Sequence, residues 1–100
     1  MLLHKYVKNA RIVGFIGTSH DNIEMLFIDP ECRREGIGKV LIEFALAELG
    51  TEKVDVNEQN AHAVGFYEKL GFKLIGRSEL DGQGQPYPIL HLKFSQKAEI

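Results

Sequence analysis

The chain has 100 residues with 44% hydrophobic content, enough for one small domain but not for two. A formal net charge of -2 and an isoelectric point near 6.1 argue against nucleic acid as a partner, since domains that bind it usually have values above ~9. One cysteine cannot form an internal disulfide, and the sequence has neither a signal-peptide core nor ~18 consecutive apolar residues, so we expect a soluble cytoplasmic protein that does not bind membranes.

The first half of the chain predicts three strands and a helix. Apolar-rich segments at 2–8 and 11–19 flank a short polar turn, which is typical of a β-hairpin. A third strand at 23–28 ends at Asp29-Pro30, because proline cannot donate to a ladder. Helical spacing follows over 37–49, where the predicted core positions are Ile37, Val40, Leu41, Phe44, Ala45 and Leu49, and Gly50 is the expected C-terminal cap.

The second half predicts a strand at 53–56, a helix at 61–70 and strands at 72–75 and 89–94. Asn60 is a suitable N-cap for this helix, and Gly71 ends it. Residues 95–100 are expected to form a loose tail. The order β-β-β-α-β-α-β-β predicts a single α+β domain over 1–100, with helices packed on a mixed, mostly antiparallel sheet.

The loop between the third strand and the first helix has the composition of an anion-binding site. Its sequence is Asp29-Pro30-Glu31-Cys32-Arg33-Arg34-Glu35-Gly36-Ile37-Gly38. Glycines let the backbone approach an anion, and a helix start directs free N–H groups and the positive end of the dipole at it. When it stands alone, a Gly-x-Gly pattern more often marks a simple turn, and the arginines beside it would then form a solvated face. A dinucleotide fingerprint fits poorly because Leu41 stands at its third glycine position, and a P-loop fails because Val40 follows Lys39.

This strand, Arg-x-x-Gly-x-Gly loop and helix resemble the acetyl-CoA-binding motif of the GNAT superfamily of N-acetyltransferases. A second block resembles the other GNAT signature, with Asn60 after a strand and a helix carrying Phe66-Tyr67 before Gly71-Phe72. The element order resembles the GNAT fold from its second strand onward. Members usually begin with a further strand and two helices that form a wall of the acceptor pocket, so we expect an N-terminally shortened, small bacterial member.

The resemblance implies an N-acetyltransferase with acetyl-CoA as its cofactor, in which an amine attacks the thioester directly within a ternary complex. Tyr67 is implied as the general acid that protonates CoA, and Glu24 is the candidate base. The acceptor would be a small-molecule amine or an amine of a peptide or protein. The implied cofactor-binding residues are Leu26, Phe27, Ile28, Arg33, Arg34, Glu35, Gly36, Ile37, Gly38, Lys39, Asn60 and Tyr67.

Each assignment has a structural alternative. Tyr67 could be buried only because its ring removes apolar surface from water. Glu24 could be a solvated strand carboxylate, and Asn60 could serve only as a helix cap. Cys32 could be a nucleophile near a helix start, although packing as a small apolar residue is favoured. His91 alternates with leucines and is interpreted as an exposed strand histidine; the spacing of the histidines indicates no metal site.

The shortened start leaves the function open to two alternatives. The chain could be a noncatalytic acyl-CoA-binding module, or a truncated GNAT domain that needs a partner chain. A homodimer could supply the wall of the acceptor pocket in the second case.

Overall fold

The structure, a computed structural model, describes residues 1–95, and the predicted loose tail lies outside them except for Ser95. The chain divides into two compact units, Met1–Glu52 and the part that starts at Lys53. The first unit contains strands β1 (Leu2–Lys8), β2 (Arg11–Ser19) and β3 (Asn22–Ile28), a 3-10 helix (Pro30–Cys32) and helix α1 (Ile37–Glu48). The second contains β4 (Lys53–Asn57), α2 (Ala61–Lys69), β5 (Phe72–Ser78) and β6 (Ile89–Phe94). The predicted α+β class and element order are confirmed.

In the first unit, β2 pairs antiparallel with β1 on one side and β3 on the other. The β1–β2 turn uses Asn9 and Ala10 with φ of 52° and 62°, the left-handed pair that a two-residue hairpin requires. Helix α1 packs against β2 and β3. Gly14 allows this close approach, because a Cβ there would lie 3.1 Å from the Ile37 Cγ2 atom and 3.0 Å from the Phe27 carbonyl oxygen.

The buried face of α1 differs from the predicted one at two positions, and the predicted core residues Phe44 and Leu49 are half-buried. Ile37, Leu41 and Ala45 are buried as expected, but Val40 is 47% exposed and Ile42 is fully buried instead. At 100° per residue, Val40 lies about 130° from the centre of the buried stripe, outside the part that a sheet can cover. No helix within residues 1–95 has both the length and the apolar character that crossing a bilayer requires.

In the second unit, β6 lies between β4 and β5 and pairs antiparallel with both. Helix α2 begins as predicted, since the Asn60 side-chain oxygen accepts a hydrogen bond from the Ala63 N–H at 3.1 Å. Gly71 ends it with φ of 106°, and a Cβ there would come within 3.1 Å of the Phe94 ring. Strand β5 extends three residues beyond its predicted end at Ile75, and its ladder with β6 continues across an irregularity between Leu74 and Gly76.

Candidate functional site

The loop between β3 and α1 is anchored at Asp29. Its carboxylate accepts a hydrogen bond from the Glu31 N–H at 2.9 Å, and the Cys32 N–H donates to its carbonyl oxygen at 2.8 Å. Arg11 of β2 donates to the same carboxylate at 2.8 Å. Sequence reasoning missed this ion pair, because only the antiparallel register of β2 and β3 brings together residues that are 18 positions apart.

Two left-handed residues turn the loop into α1, namely Arg34 with φ of 68° and Gly36 with φ of 79°. Gly36 is the N-cap, and no side chain caps the helix. Main-chain donors of the first turn, at Ile37, Gly38 and Lys39, are therefore available to a ligand. The Ile37 side chain is buried beneath Gly14, which fixes the position of this turn.

The charge around the helix start is mainly positive. Arg33, Arg34 and Lys39 are exposed. The Glu35 carboxylate forms an ion pair with Lys8 of β1, and this hydrogen bond and charge raise the pKa of Lys8. Free N–H groups, a helix dipole and three cationic side chains together fit a phosphorylated ligand such as the diphosphate of CoA.

The end of β3 supplies apolar side chains and main-chain groups. Leu26 and Ile28 are half-buried, and the exposed Phe27 stacks on Phe15 with ring centroids 5.3 Å apart. The stack lies on the strand segment to which the family resemblance assigns the cofactor.

Glu24 lies at an irregularity of β3. Thr18 of β2 pairs with Ile23 and Gly17 pairs with Met25, so Glu24 is the extra residue between them. Such a bulge interrupts the regular alternation of side chains between the two faces of β3 at Glu24. The Glu24 side chain is exposed and accepts a hydrogen bond from the Asn22 amide at 3.3 Å.

Tyr67 is the buried aromatic residue of α2, with 7% of its surface exposed. Its ring meets Phe66 and Phe72 edge-on, at centroid distances of 5.1 and 5.4 Å. Burial raises the pKa of the phenol to about 12. The side chain therefore stays protonated at neutral pH, as a proton donor must.

The predicted site residues fall into two groups. Glu24, the β3 residues and the loop residues through Lys39 belong to the first unit, whereas Asn60 and Tyr67 belong to the second. Cys32 is 7% exposed and contributes to the core, as the sequence favoured. Among the residues that the structure describes, no group of three or more histidine, cysteine, aspartate or glutamate side chains is arranged to hold a metal ion.

Comparison with known families agrees with the motifs and the fold. Residues 1–87 match the profile of the acetyltransferase (GNAT) domain, and the chain belongs to this family. It is 52% identical over 80 residues to the peptidyl-lysine N-acetyltransferase YjaB of Salmonella typhimurium, covering 80% of this chain and 55% of the relative. The Escherichia coli YjaB protein is 51% identical over 82 residues, covering 82% and 56%. The chain thus spans about half the length of the curated relatives it matches.

Solved structures show the same fold. The solution structure of apo-form YjaB from Escherichia coli superposes with a TM-score of 0.84 at 46% identity, over 95% of this chain and 65% of that one. A Bacillus anthracis protein crystallised in complex with acetyl coenzyme A gives a TM-score of 0.82 at 24% identity, covering 95% and 62%. The GNAT fold expected from the two sequence motifs is therefore confirmed.

The raised pKa of Tyr67 predicts a loss of stability at alkaline pH. The folded-state pKa of about 12 lies above the ordinary value of 10, so the stabilisation is complete below pH 10 and disappears as pH rises towards 12. The free energy of unfolding is measured by urea denaturation at each pH. Between about pH 9 and pH 11.5, it should fall by about 2 kcal/mol more for the wild-type protein than for Tyr67→Phe. Tyr87→Phe, at an exposed tyrosine, is the control and should follow the wild type. Parallel pH profiles for all three proteins would show that Tyr67 is not protected from ionisation.

Proposed function

We propose that this protein transfers the acetyl group of acetyl-CoA to the side-chain amine of a lysine in a peptide or protein. The proposal is carried by the uncapped start of α1 behind a cationic loop, in a chain about half identical to relatives named peptidyl-lysine N-acetyltransferases. The loop explains how a CoA diphosphate would be held, and the relatives supply the class of acceptor.

In this proposal the α1 amides at Ile37, Gly38 and Lys39 bind the diphosphate, with Arg33 and Arg34 adding charge. Main-chain groups of Leu26, Phe27 and Ile28 bind the pantetheine arm. Asn60 uses its side-chain oxygen to cap α2, and its exposed amide nitrogen remains able to donate to the same arm. Both roles considered for Asn60 are thereby compatible.

Three groups of this chain are proposed to act on the reacting atoms. Acetyl-CoA, when bound, supplies an activated acetyl thioester. Glu24, exposed on β3, takes a proton from the lysine ammonium directly or through water. A backbone N–H in the segment from Leu26 to Ile28 donates to the oxyanion. Tyr67 donates a hydrogen bond, and finally its proton, to the departing sulfur.

The pKa of Tyr67 limits how early it can give up its proton. A thiol of pKa ~8.5 is a stronger acid than a phenol of pKa about 12. With the pKa that Tyr67 has in the ligand-free protein, complete proton transfer from its hydroxyl to the CoA thiolate is therefore uphill by about 5 kcal/mol. Tyr67 is therefore proposed to share its proton in a hydrogen bond first. After the proton has passed to the sulfur, the Tyr67 phenolate recovers a proton from solvent or from the acceptor.

Arg34 provides a test of diphosphate binding. Arg34→Asn removes the positive charge, and asparagine tolerates the left-handed backbone at this position. Because a hydrogen bond to a charged group contributes about 1.5–3 kcal/mol, calorimetry should show CoA binding weakened about 10- to 100-fold. Lys5→Asn, which removes the same charge from an exposed residue of β1, should bind CoA normally. Equal affinities for both variants would argue against this loop as the diphosphate site.

Tyr67→Phe tests the acid. The variant keeps the buried ring and its aromatic contacts, so CoA affinity should change less than about threefold, while turnover should fall about 100-fold, as general-acid catalysis contributes about 10²–10⁴. CoA thiol release is measured with a blocked peptide that contains one lysine. Equal losses in affinity and turnover would assign Tyr67 a packing role.

Binding of CoA by the wild type without turnover on any amine or peptide would favour the noncatalytic acyl-CoA-binding module.

Glu24→Gln tests the base. Loss of the carboxylate should lower kcat/KM about 100-fold near neutral pH and leave a smaller defect at alkaline pH, where more of the lysine amine is already deprotonated. Glu43→Gln, at an exposed position of α1, is the matched control. A pH–rate profile of Glu24→Gln that overlays the wild type would assign the proton to water or to another group.

A further inference from the structure

Three strands of the second unit bring an aspartate, a histidine and a serine into one hydrogen-bonded chain. The Asp55 Oδ1 atom of β4 lies 2.7 Å from His91 Nδ1 of β6. The His91 Nε2 atom lies 2.7 Å from Ser78 Oγ at the end of β5. His91 was interpreted from the sequence as an exposed strand histidine, but it is half-buried and bonded through both ring nitrogens.

The strand register produces this arrangement. Asp55 pairs directly with His91, and Ser78 pairs with Ile89, which lies two residues from His91 and so on the same face. The irregularity between Leu74 and Gly76 brings Ser78 onto this face and sets Gly76 opposite His91. The neighbouring residues Val54 and Val56 alternate to the other face and are buried.

With Asp55 ionised and His91 neutral, only one arrangement of the protons satisfies both hydrogen bonds. An ionised Asp55 can only accept, so His91 Nδ1 carries the hydrogen and donates it. The Nε2 atom is then free to accept from the Ser78 hydroxyl. Asp55 and His91 both reach solvent, since the Asp55 side chain is 52% exposed and that of His91 34%. A nucleophile, a base and a group that orients the base are thus in contact.

We propose that Ser78, His91 and Asp55 form a second, serine-nucleophile site that cleaves activated carboxylic esters. Ser78 Oγ attacks the ester carbonyl as His91 Nε2 takes the hydroxyl proton, and the C–O bond to the alcohol breaks as His91 returns that proton to the leaving oxygen. Water then attacks the acyl-serine, again through His91, and releases the acid and the free serine. Ser78 and His91 are the catalytic residues, and Asp55 is a positioning residue.

The surroundings define the substrate class further. Lys93 lies two residues from His91 on the same face, and Lys73 of β5 pairs directly with Lys93. This cationic pair favours an ester that carries a carboxylate or another anionic group. Within residues 1–95, β5 is the edge strand of its sheet, and an edge strand offers main-chain N–H groups as donors to a developing oxyanion.

Covalent labelling tests the proposal without acetyl-CoA, so its result is independent of the acetyltransferase assays. The full chain is treated with diisopropyl fluorophosphate, and the modified peptide is identified by mass spectrometry. We expect one phosphorylated serine, Ser78, with labelling lost in Ser78→Ala and reduced at least tenfold in His91→Gln. Ser19→Ala is the matched control and should label normally. Absence of label on wild-type Ser78, or equal label on Ser19 and Ser78, would overturn the proposal whether or not any variant folds.

Hydrolysis of p-nitrophenyl esters tests the roles of the neighbours. For each ester, the rate with protein is divided by the rate in buffer alone. This acceleration should be at least fivefold larger for the anionic hemisuccinate than for the neutral acetate with the wild type, and Lys93→Ala should remove the preference. Asp55→Asn should lower kcat at least tenfold with little change in KM. Asp55→Glu should recover part of the lost kcat, because a carboxylate again favours the His91 tautomer that carries its hydrogen on Nδ1. Rates equal to buffer for both esters would overturn the proposed activity.

Discussion

The start of α1 is the constraint on which the candidate site depends. A helix that begins without a side-chain cap leaves main-chain donors unsatisfied, and Gly36 allows this because its left-handed backbone carries no side chain over them. Two anchors hold the turn in place, namely Asp29 at the strand end and the buried Ile37 side chain beneath Gly14. An N-cap typically contributes about 1 kcal/mol, so the bare start is a local cost that a bound anion would offset.

Tyr67 shows how burial shapes a proposed acid. Packing between two aromatic rings keeps the phenol neutral far above physiological pH and fixes its orientation. The same burial makes the proton harder to release, so the proposed chemistry relies on a hydrogen bond that strengthens as negative charge develops on sulfur. Binding of a ligand beside the ring would change its solvation, and with it the pKa.

The sequence predicted local features better than tertiary ones. The order of elements, the Asn60 cap and the glycine that ends α2 follow from local chemistry and were predicted correctly. Val40 was placed wrongly because helical periodicity gives a stripe but not its exact centre. The bulge at Glu24, the Arg11–Asp29 pair and the contacts of His91 depend on cross-strand register, for which a single sequence carries little signal. The family assignment needed only the two motifs, whereas the roles of individual site residues remain predictions.

The irregularity at Ile75 also bears on how this protein behaves at high concentration. Within the described residues β5 pairs on one side only, and its side chains include the exposed Leu74 and Ile75. A strand edge that is unpaired and carries exposed apolar side chains is a template for intermolecular β-pairing and fibre growth. The bulge interrupts the regular spacing of its hydrogen-bonding groups, and Lys73 and Arg77 place like charges where a second copy would align. The local distortion that brings Ser78 to His91 thus also discourages self-assembly along that edge.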